Sequence, residues 1–203
     1  LGSARIAIQG FGAVAKHAAR FLAEKGAVLV AVSDSAGTLH DPAGLDVAAL
    51  IRLKESGRPL GDYPGGRRLG RDAIVGIECD IWIPAARPDV LREDNVGQLK
   101  AKLVVQGANI PATPGAERAL HERGVLVVPD FIANSGGVIC GAMEYHGALQ
   151  SQVLAAIEEK IRSNTRQVLD ASAAQRLMPR DAALKFAQQR VTTAMSYRRW
   201  AVF

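Results

Sequence analysis

Short apolar runs alternate along this chain with stretches in which apolar residues recur every three to four positions. Arg5-Ile6-Ala7-Ile8-Gln9 reads as a buried strand, and Val14, Ala15, Ala18, Ala19 and Leu22 behind it mark one face of a helix. Residues 28–33 form a second branched, apolar strand. Residues 44–55 carry Leu45, Ala48, Ala49 and Leu50 on one side of a helix that Gly57 ends. Three further strands are expected before Pro84, over residues 102–106 and over residues 125–128. A short helix is expected over residues 92–99. Another opens with Thr113 as its cap, Pro114 at its first position and Glu117 in its first turn, and stops at Gly124. Leu149, Val153, Ala156, Ile157, Ile161, Val168 and Leu169 predict a long amphipathic helix of roughly eight turns or more. Pro179 breaks it, and a last helix over about residues 180–197 carries Leu184, Ala187, Val191 and Met195. The glycine- and proline-rich stretch 58–76 reads as a surface loop with little internal order.

Strands alternating with helices define an α/β, doubly wound sheet. The division expected is a core over residues 1–148, with the C-terminal helices of 149–203 packed beside it.

The first strand ends in Gly10-Phe11-Gly12-Ala13-Val14-Ala15, a G-x-G-x-x-A turn opening a helix. In a dinucleotide-binding turn, Gly10 allows the tight bend and Gly12 lets the backbone approach a pyrophosphate. Ala15 is small enough to seat the helix against its strand. The helix N-terminus would face the phosphates. Glycines also end strands for ordinary turn reasons, so the hexapeptide alone is weak. The second strand strengthens it, because it ends at Asp34, roughly 20 residues beyond Ala15, where the fingerprint places an acid on the ribose hydroxyls. A plain capping aspartate is the alternative for Asp34. Two more strand ends turn small or amide-bearing, at Ala85-Ala86 and at Gly107-Ala108-Asn109. If these strands are parallel, the three ends line one crevice, the usual ligand position in open α/β sheets. Further on, Asn134 and Ser135 can cap a helix beside the Gly136-Gly137 pair.

Composition narrows the class. Of 203 residues, 48% are hydrophobic and 22% charged, which suits one substantial globular core. There is no run of about 18 apolar residues to span a membrane. No secretory signal is visible before Arg5, so a cytoplasmic setting is expected. The chain opens almost at its first strand, which leads us to expect a piece of a longer protein. The net charge of +5 comes from scattered residues rather than a basic stripe, so no nucleic-acid partner is expected. Cys79 and Cys140 lie in no ligand cluster, and no metal site is expected.

With these motifs assembled, the chain resembles the dinucleotide-binding domain of the glutamate/leucine/phenylalanine/valine dehydrogenase family, nearest its glutamate dehydrogenase branch. The resemblance rests on residues 9–15 (QGFGAVA), 31–37 (AVSDSAG), 79–86 (CDIWIPAA), 107–114 (GANIPATP) and 128–138 (VPDFIANSGGV). It implies oxidative deamination of an L-amino acid to a 2-oxo acid and ammonia, with NAD(P) accepting the hydride. It implies a Rossmann-type, mostly parallel sheet with one reversed strand. Gly10, Phe11, Gly12, Ala13 and Val14 would hold the pyrophosphate, and Asp34 with Ser35 the adenosine ribose. Ala85 and Ala86 would pass beneath the cofactor, and Asn109 and Asn134 would reach the nicotinamide and its ribose. Val138 and Gly141 would face the substrate. Gly141 stands where glutamate enzymes often carry a serine for the distal carboxylate, and Ala13 where the family often carries asparagine. The resemblance further implies a full-length homo-oligomer, usually a hexamer, and a separate N-terminal substrate domain that holds the catalytic lysine and aspartate. No catalytic residue is therefore expected in these 203 residues, and the amino acid would arrive through that other domain.

Asp34 also predicts NAD in preference to NADP, because its carboxylate repels a 2′-phosphate and no Lys or Arg lies between Asp34 and Asp41. A different class of function, a free-standing dinucleotide sensor or non-catalytic subunit, would keep the same crevice without a substrate domain.

Overall fold

The computed structural model describes residues 1–198. Two compact units appear, Leu1–Asp130 and Phe131–Phe203. The first contains the whole sheet, so this boundary falls ahead of the 148/149 division drawn from the sequence.

Seven strands form that sheet: β1 (Arg5–Gln9), β2 (Val28–Ser33), β3 (Thr38–His40), β4 (Arg67–Leu69), β5 (Ile81–Pro84), β6 (Leu103–Val105) and β7 (Leu126–Val128). Their order is β4-β3-β2-β1-β5-β6-β7. β2, β1, β5, β6 and β7 run parallel, while β3 is antiparallel to both of its neighbours. The sheet is thus mostly parallel with one reversed strand.

Helices α1 (Ala13–Glu24) and α2 (Val47–Glu55) follow the first two long strands, and α3 (Pro114–Glu122) joins β6 to β7. Both sheet faces are covered, as the near-continuous apolar strands require. On one face Ile6, Ile8, Leu29, Val32 and Ile83 pack with Ala15 and Ala19 of α1 and Leu50 of α2. On the other, Ala7, Ala31, Trp82, Val104 and Val127 pack with Leu91, Ala116 and Leu120. Ile6, Ile8 and Leu120 are fully enclosed, and each such side chain stabilises the fold by about 1.5–3 kcal/mol relative to exposure. Thr113 caps α3 by accepting from the Ala116 N–H at 3.2 Å, as its sequence predicts.

Some elements differ from the pattern. α2 starts at Val47 rather than residue 44, because Asp46 caps it through the Ala49 N–H at 3.0 Å. Stretch 58–76 is ordered: it holds β4 and two 3-10 turns, Leu60–Asp62 and Arg71–Gly76, with Leu60, Ile74 and Val75 buried. Residues 92–99 form only a 3-10 turn, Val96–Gln98. There the Asn95 side chain accepts from the Arg92 N–H and donates to the Val90 carbonyl, both at 2.9 Å. An aspartate or asparagine that bonds its own backbone this way competes with helix.

In the second unit α5 (Gly136–Tyr145), α6 (Gln150–Gln175) and α7 (Pro179–Arg198) follow the short α4 (Asp130–Ala133), which straddles the boundary. α6 is the expected long helix, at about seven turns. It stops at Arg176, which takes the left-handed conformation at φ 53°, and Pro179 opens α7 rather than breaking α6. Ser135 does not cap α5 through its side chain; its hydroxyl donates back to the Ile132 carbonyl at 3.0 Å. No helix among the described residues is long and apolar enough to cross a membrane.

Candidate functional site

The strand ends named from the sequence meet in the first unit. β1, β5 and β6 are adjacent and parallel, so their C-terminal ends share one edge. Backbone bonds tie these ends into a ledge. The Ala85 N–H donates to the Gln9 carbonyl at 2.8 Å, and the N–H groups of Gly107 and Ala108 donate to the Pro84 carbonyl at 2.9 and 2.8 Å. Asn109 is exposed on the loop beyond. That loop is pinned by Asp130, whose Oδ2 accepts from the Ile110 N–H at 2.8 Å while Ile110 sits at φ 49°.

The two glycines of the first turn have different surroundings. Gly10 lies at φ 93°, and a Cβ built on it would stand 2.5 Å from Cβ of Ala86. Its N–H donates to the buried Ser33 hydroxyl at 3.2 Å. Gly12 has an ordinary extended backbone, and nothing lies within 4 Å of a Cβ built there. It serves as N-cap of α1 without any side-chain oxygen, and the first turn carries no acid. Gly12, Ala13 and Val14 are exposed, whereas the Phe11 side chain is buried in the core and only its backbone is at the turn. An open helix N-terminus with no anion of its own suits phosphate. At the end of β1, Oε1 of Gln9 is buried with no hydrogen-bond partner among the described residues, an uncommon state.

At the end of β2 the Asp34 carboxylate is heavily engaged. Oδ1 accepts from the Ala36 N–H at 2.9 Å, and Oδ2 from the Leu60 N–H at 3.2 Å and the Lys54 ammonium at 3.3 Å. Burial opposes its ionisation, but these two N–H groups and Lys54 outweigh that cost and hold the carboxyl below the usual aspartate range. Ser35 is exposed beside it. A cavity of about 210 Å³ adjoins Asp34, lined also by Gly37, Thr38, Leu60 and Arg68. Ser33, Lys54, Leu60 and Arg68 were not among the sequence candidates. Each lies outside the fingerprint and reaches the site only through folding of β2, α2 or stretch 58–76.

Asn134, Val138 and Gly141 belong to the second unit. Asn134 is half-buried between α4 and α5. Val138 is 79% exposed, and Gly141 one turn on has open space at its Cβ position. Among the described residues no group of three His, Cys, Asp or Glu is placed to hold a metal. Burial, with Asp80 beside it, pushes the Cys79 thiol up to about 12, which disfavours the thiolate.

A doubly wound sheet with a glycine turn at its central strand end and an acid at the next is a nucleotide-binding type of fold. The sequence pattern of the Glutamate/Leucine/Phenylalanine/Valine dehydrogenase family matches residues 1–199, and the chain belongs to that family. It is 38% identical to glutamate dehydrogenase of Aeropyrum pernix over 206 aligned positions, covering 96% of this chain and 49% of that protein. It is 34% identical to the NAD-specific glutamate dehydrogenase of Staphylococcus aureus, covering 98% of this chain and again 49% of the relative. Among solved structures, the hetero-hexameric glutamate dehydrogenase of Thermus thermophilus in its leucine-bound form superposes with a TM-score of 0.87 at 29% identity. That match covers 100% of this chain and 49% of the other. The chain spans about half the length of the curated relatives it matches.

Proposed function

We propose that this chain is the nicotinamide-dinucleotide-binding part of an amino-acid dehydrogenase that oxidatively deaminates an L-amino acid to a 2-oxo acid and ammonia. The observation that carries the reading is the contrast between the two turn glycines. Gly10 is needed by the fold, since both its φ and its contact with Ala86 exclude a side chain. Gly12 meets no such demand, so its missing side chain is explained by something that approaches from outside. A pyrophosphate there would receive backbone N–H groups from the start of α1. Asp34 keeps one lone pair on Oδ1 for a ribose hydroxyl, and Ala85 and Ala86 leave the ledge low beneath a dinucleotide. Asn109, on the first unit, offers an amide for the nicotinamide end; on the second unit, taken by itself, the exposed α5 face of Val138 and Gly141 is proposed to meet the amino acid. The bound nicotinamide supplies the hydride acceptor.

This chain's residues supply no proton chemistry to that reaction. No lysine lies in the glycine-rich turn or on the 107–110 loop. Proton transfer at the amine and at the attacking water would come from another part of the enzyme, as would the α-carboxylate pocket. Full-length protein is proposed to assemble as a homo-oligomer of the hexameric kind.

Titration of the 203-residue chain with NAD and NADH tests the reading. Gly12→Ala should weaken binding about tenfold or more, some 1.4 kcal/mol, while its thermal midpoint falls by only a few degrees, the cost of alanine at an N-cap. Mixed with NAD and glutamate, leucine, phenylalanine or valine, the chain alone should form no NADH. Equal binding by Gly12→Ala would sink the pyrophosphate assignment, and steady NADH formation would sink the division of labour.

A further inference from the structure

The loop 107–110, which carries Asn109 past the end of β6, is held in a conformation that its own sequence resists. Ile110 lies at φ 49°, and a β-branched residue in the left-handed region is uncommon and strained. Side-chain packing does not compensate, because Ile110 is 60% exposed. The restraint comes from hydrogen bonds to the backbone on both sides. The Ile110 N–H donates to Oδ2 of Asp130 at 2.8 Å. The Ile110 carbonyl accepts from the Asp89 N–H at 2.9 Å, and the Pro111 carbonyl accepts from the N–H groups of Val90 and Leu91 at 2.9 and 3.0 Å. Asp89 also lies at φ 49°, a conformation that aspartate visits more readily. The loop is thereby stapled to the segment that leaves β5 through Ala85 and Ala86. Asp130 is itself fixed. It is buried, and its N–H donates to Oε1 of Gln106 at 3.0 Å, while Nε2 of Gln106 donates to Oε1 of Glu117 on α3 at 2.8 Å. Only one orientation of the fully enclosed Gln106 amide satisfies both bonds, since a backbone N–H needs an acceptor and a carboxylate oxygen needs a donor. All of these residues belong to the first unit.

We propose that Asp130 is a positioning residue for the nicotinamide end of the dinucleotide. Through the Ile110 N–H it holds Asn109 where the amide meets that end of the ligand, and Gln106 with Glu117 keeps Asp130 in place. The inference rests on the dinucleotide reading above and deepens it with a residue which that reading does not use. Backbone strain persists only where its surroundings over-determine it, and it collects where a binding group has to be preset. Here four hydrogen bonds hold Ile110 and Pro111 beside the strand ends. Released from Asp130, Ile110 would swing to negative φ and carry Asn109 with it. Fixing the loop before the ligand arrives removes an ordering cost from binding. The proposed holders of the adenosine half, Gly12 and Asp34, lie beyond the ends of β1 and β2 and make none of these bonds. Loss of Asp130 should therefore be felt by one half of the cofactor and not by the other.

The 203-residue chain is titrated calorimetrically with NAD and with ADP, which keeps the adenosine and both phosphates but lacks the nicotinamide and its ribose. Asp130→Ala should weaken NAD about tenfold or more and change ADP by less than about threefold. Asp130→Asn, which keeps an oxygen for the Ile110 N–H, should hold NAD within about threefold of the parent. Ile110→Gly added to Asp130→Ala restores no bond, but glycine accepts φ 49° without strain, and the pair should recover part of the NAD loss. A residue that only supports the fold would lower both ligands together and gain nothing from glycine at position 110, so the NAD-to-ADP ratio is the readout. Amide exchange in the parent adds a check that requires no variant. The Ile110 N–H should be protected although its residue is exposed, and NAD should protect Asn109 and Ile110 further where ADP does not. Equal losses of NAD and ADP in Asp130→Ala, or an unchanged NAD affinity, overturn the proposal while the dinucleotide reading stands. An Ile110 amide that exchanges as fast as in an unstructured peptide overturns it as well, even if Asp130→Ala fails to fold. If neither NAD nor ADP binds the parent, the dinucleotide reading itself fails, and this inference with it.

Discussion

Cβ of Ala86, at the end of β5, stands 2.5 Å from where a side chain on Gly10, at the end of β1, would begin. The two strand ends are in register, Gln9 opposite Pro84, so the tight turn and the low ledge are one arrangement. Gly10→Ala should destabilise the fold by about 2–4 kcal/mol, combining overpacking with a positive φ. Urea unfolding measures this. Ala86→Gly removes the 2.5 Å contact but leaves backbone atoms of residue 86 at 3.2 and 3.3 Å and leaves the φ, so the double variant Gly10→Ala/Ala86→Gly should recover part, less than half, of the loss. Additive losses would show that the two residues do not meet.

Trp82 is fully enclosed at the centre of β5, and its indole N–H donates to the Ile74 carbonyl at 3.0 Å. This bond ties the 3-10 turn Arg71–Gly76 to the sheet. Trp82→Phe keeps an aromatic ring in the core but leaves the carbonyl without its partner, so stability should fall by about 1–3 kcal/mol. Amide exchange should rise first at Ile74 and its neighbours. Parent-like stability and exchange would mean the indole bond contributes nothing.

The central site was legible in the sequence because its signals are local. Strand, glycine turn and helix run consecutively from Arg5 to Leu22, and each buried strand is an unbroken apolar run. β3 and β4 were not legible for the opposite reason. Each has three residues, and β4 offers Arg67-Arg68 as an exposed edge with no alternating pattern. Their pairing depends on long-range closure, His40 opposite Arg67. The cations around Asp34 were hidden in the same way. A search for Lys or Arg near Asp34 in sequence finds none before Asp41, while the fold brings Lys54 and Arg68 to it. Residues 90–99 did place Val90, Val96 and Leu99 in the core, but the Asn95 side-chain bonds and the bridge from Leu91 to Ala112 kept the segment from becoming a helix.

Asp34 gives stability a definite pH dependence. Burial raises its carboxyl, but the N–H groups of Leu60 and Ala36 and the Lys54 ammonium lower it further, so the folded value lies below the unfolded one, about 3.9. The unfolded chain then binds the proton more readily than the folded chain. The contribution is fully present above the unfolded value and is lost as pH falls through the folded value. Unfolding free energies of the parent and of Asp34→Asn should therefore differ at pH 7 and converge as pH drops below about 4. A difference that persists unchanged into acid would mean that the charge of Asp34 plays no part.

Gly141 provides the test of substrate choice. It sits one turn beyond Val138 on α5, so the two share a face of that helix. Val138 is 79% exposed, and nothing stands within 4 Å of a Cβ built at Gly141. Gly141→Ser should thus fold without strain, and serine's better helix propensity should leave stability equal or slightly raised. In the proposed reading this face meets the amino acid. A distal carboxylate that leaves water needs a hydrogen-bonding or charged partner, and glycine has no side chain to provide one. A serine hydroxyl donating one bond to that carboxylate is worth about 1.5 kcal/mol. In the full-length enzyme, Gly141→Ser should raise kcat/KM for glutamate about tenfold and leave that for leucine or valine unchanged or lower. The gain should appear mainly as a lower KM, since the carboxylate is bound alike in the ground state and the transition state. An unchanged glutamate rate with parent-like thermal stability would remove Gly141 from the substrate pocket, and with it the argument that its missing side chain biases this protein away from glutamate.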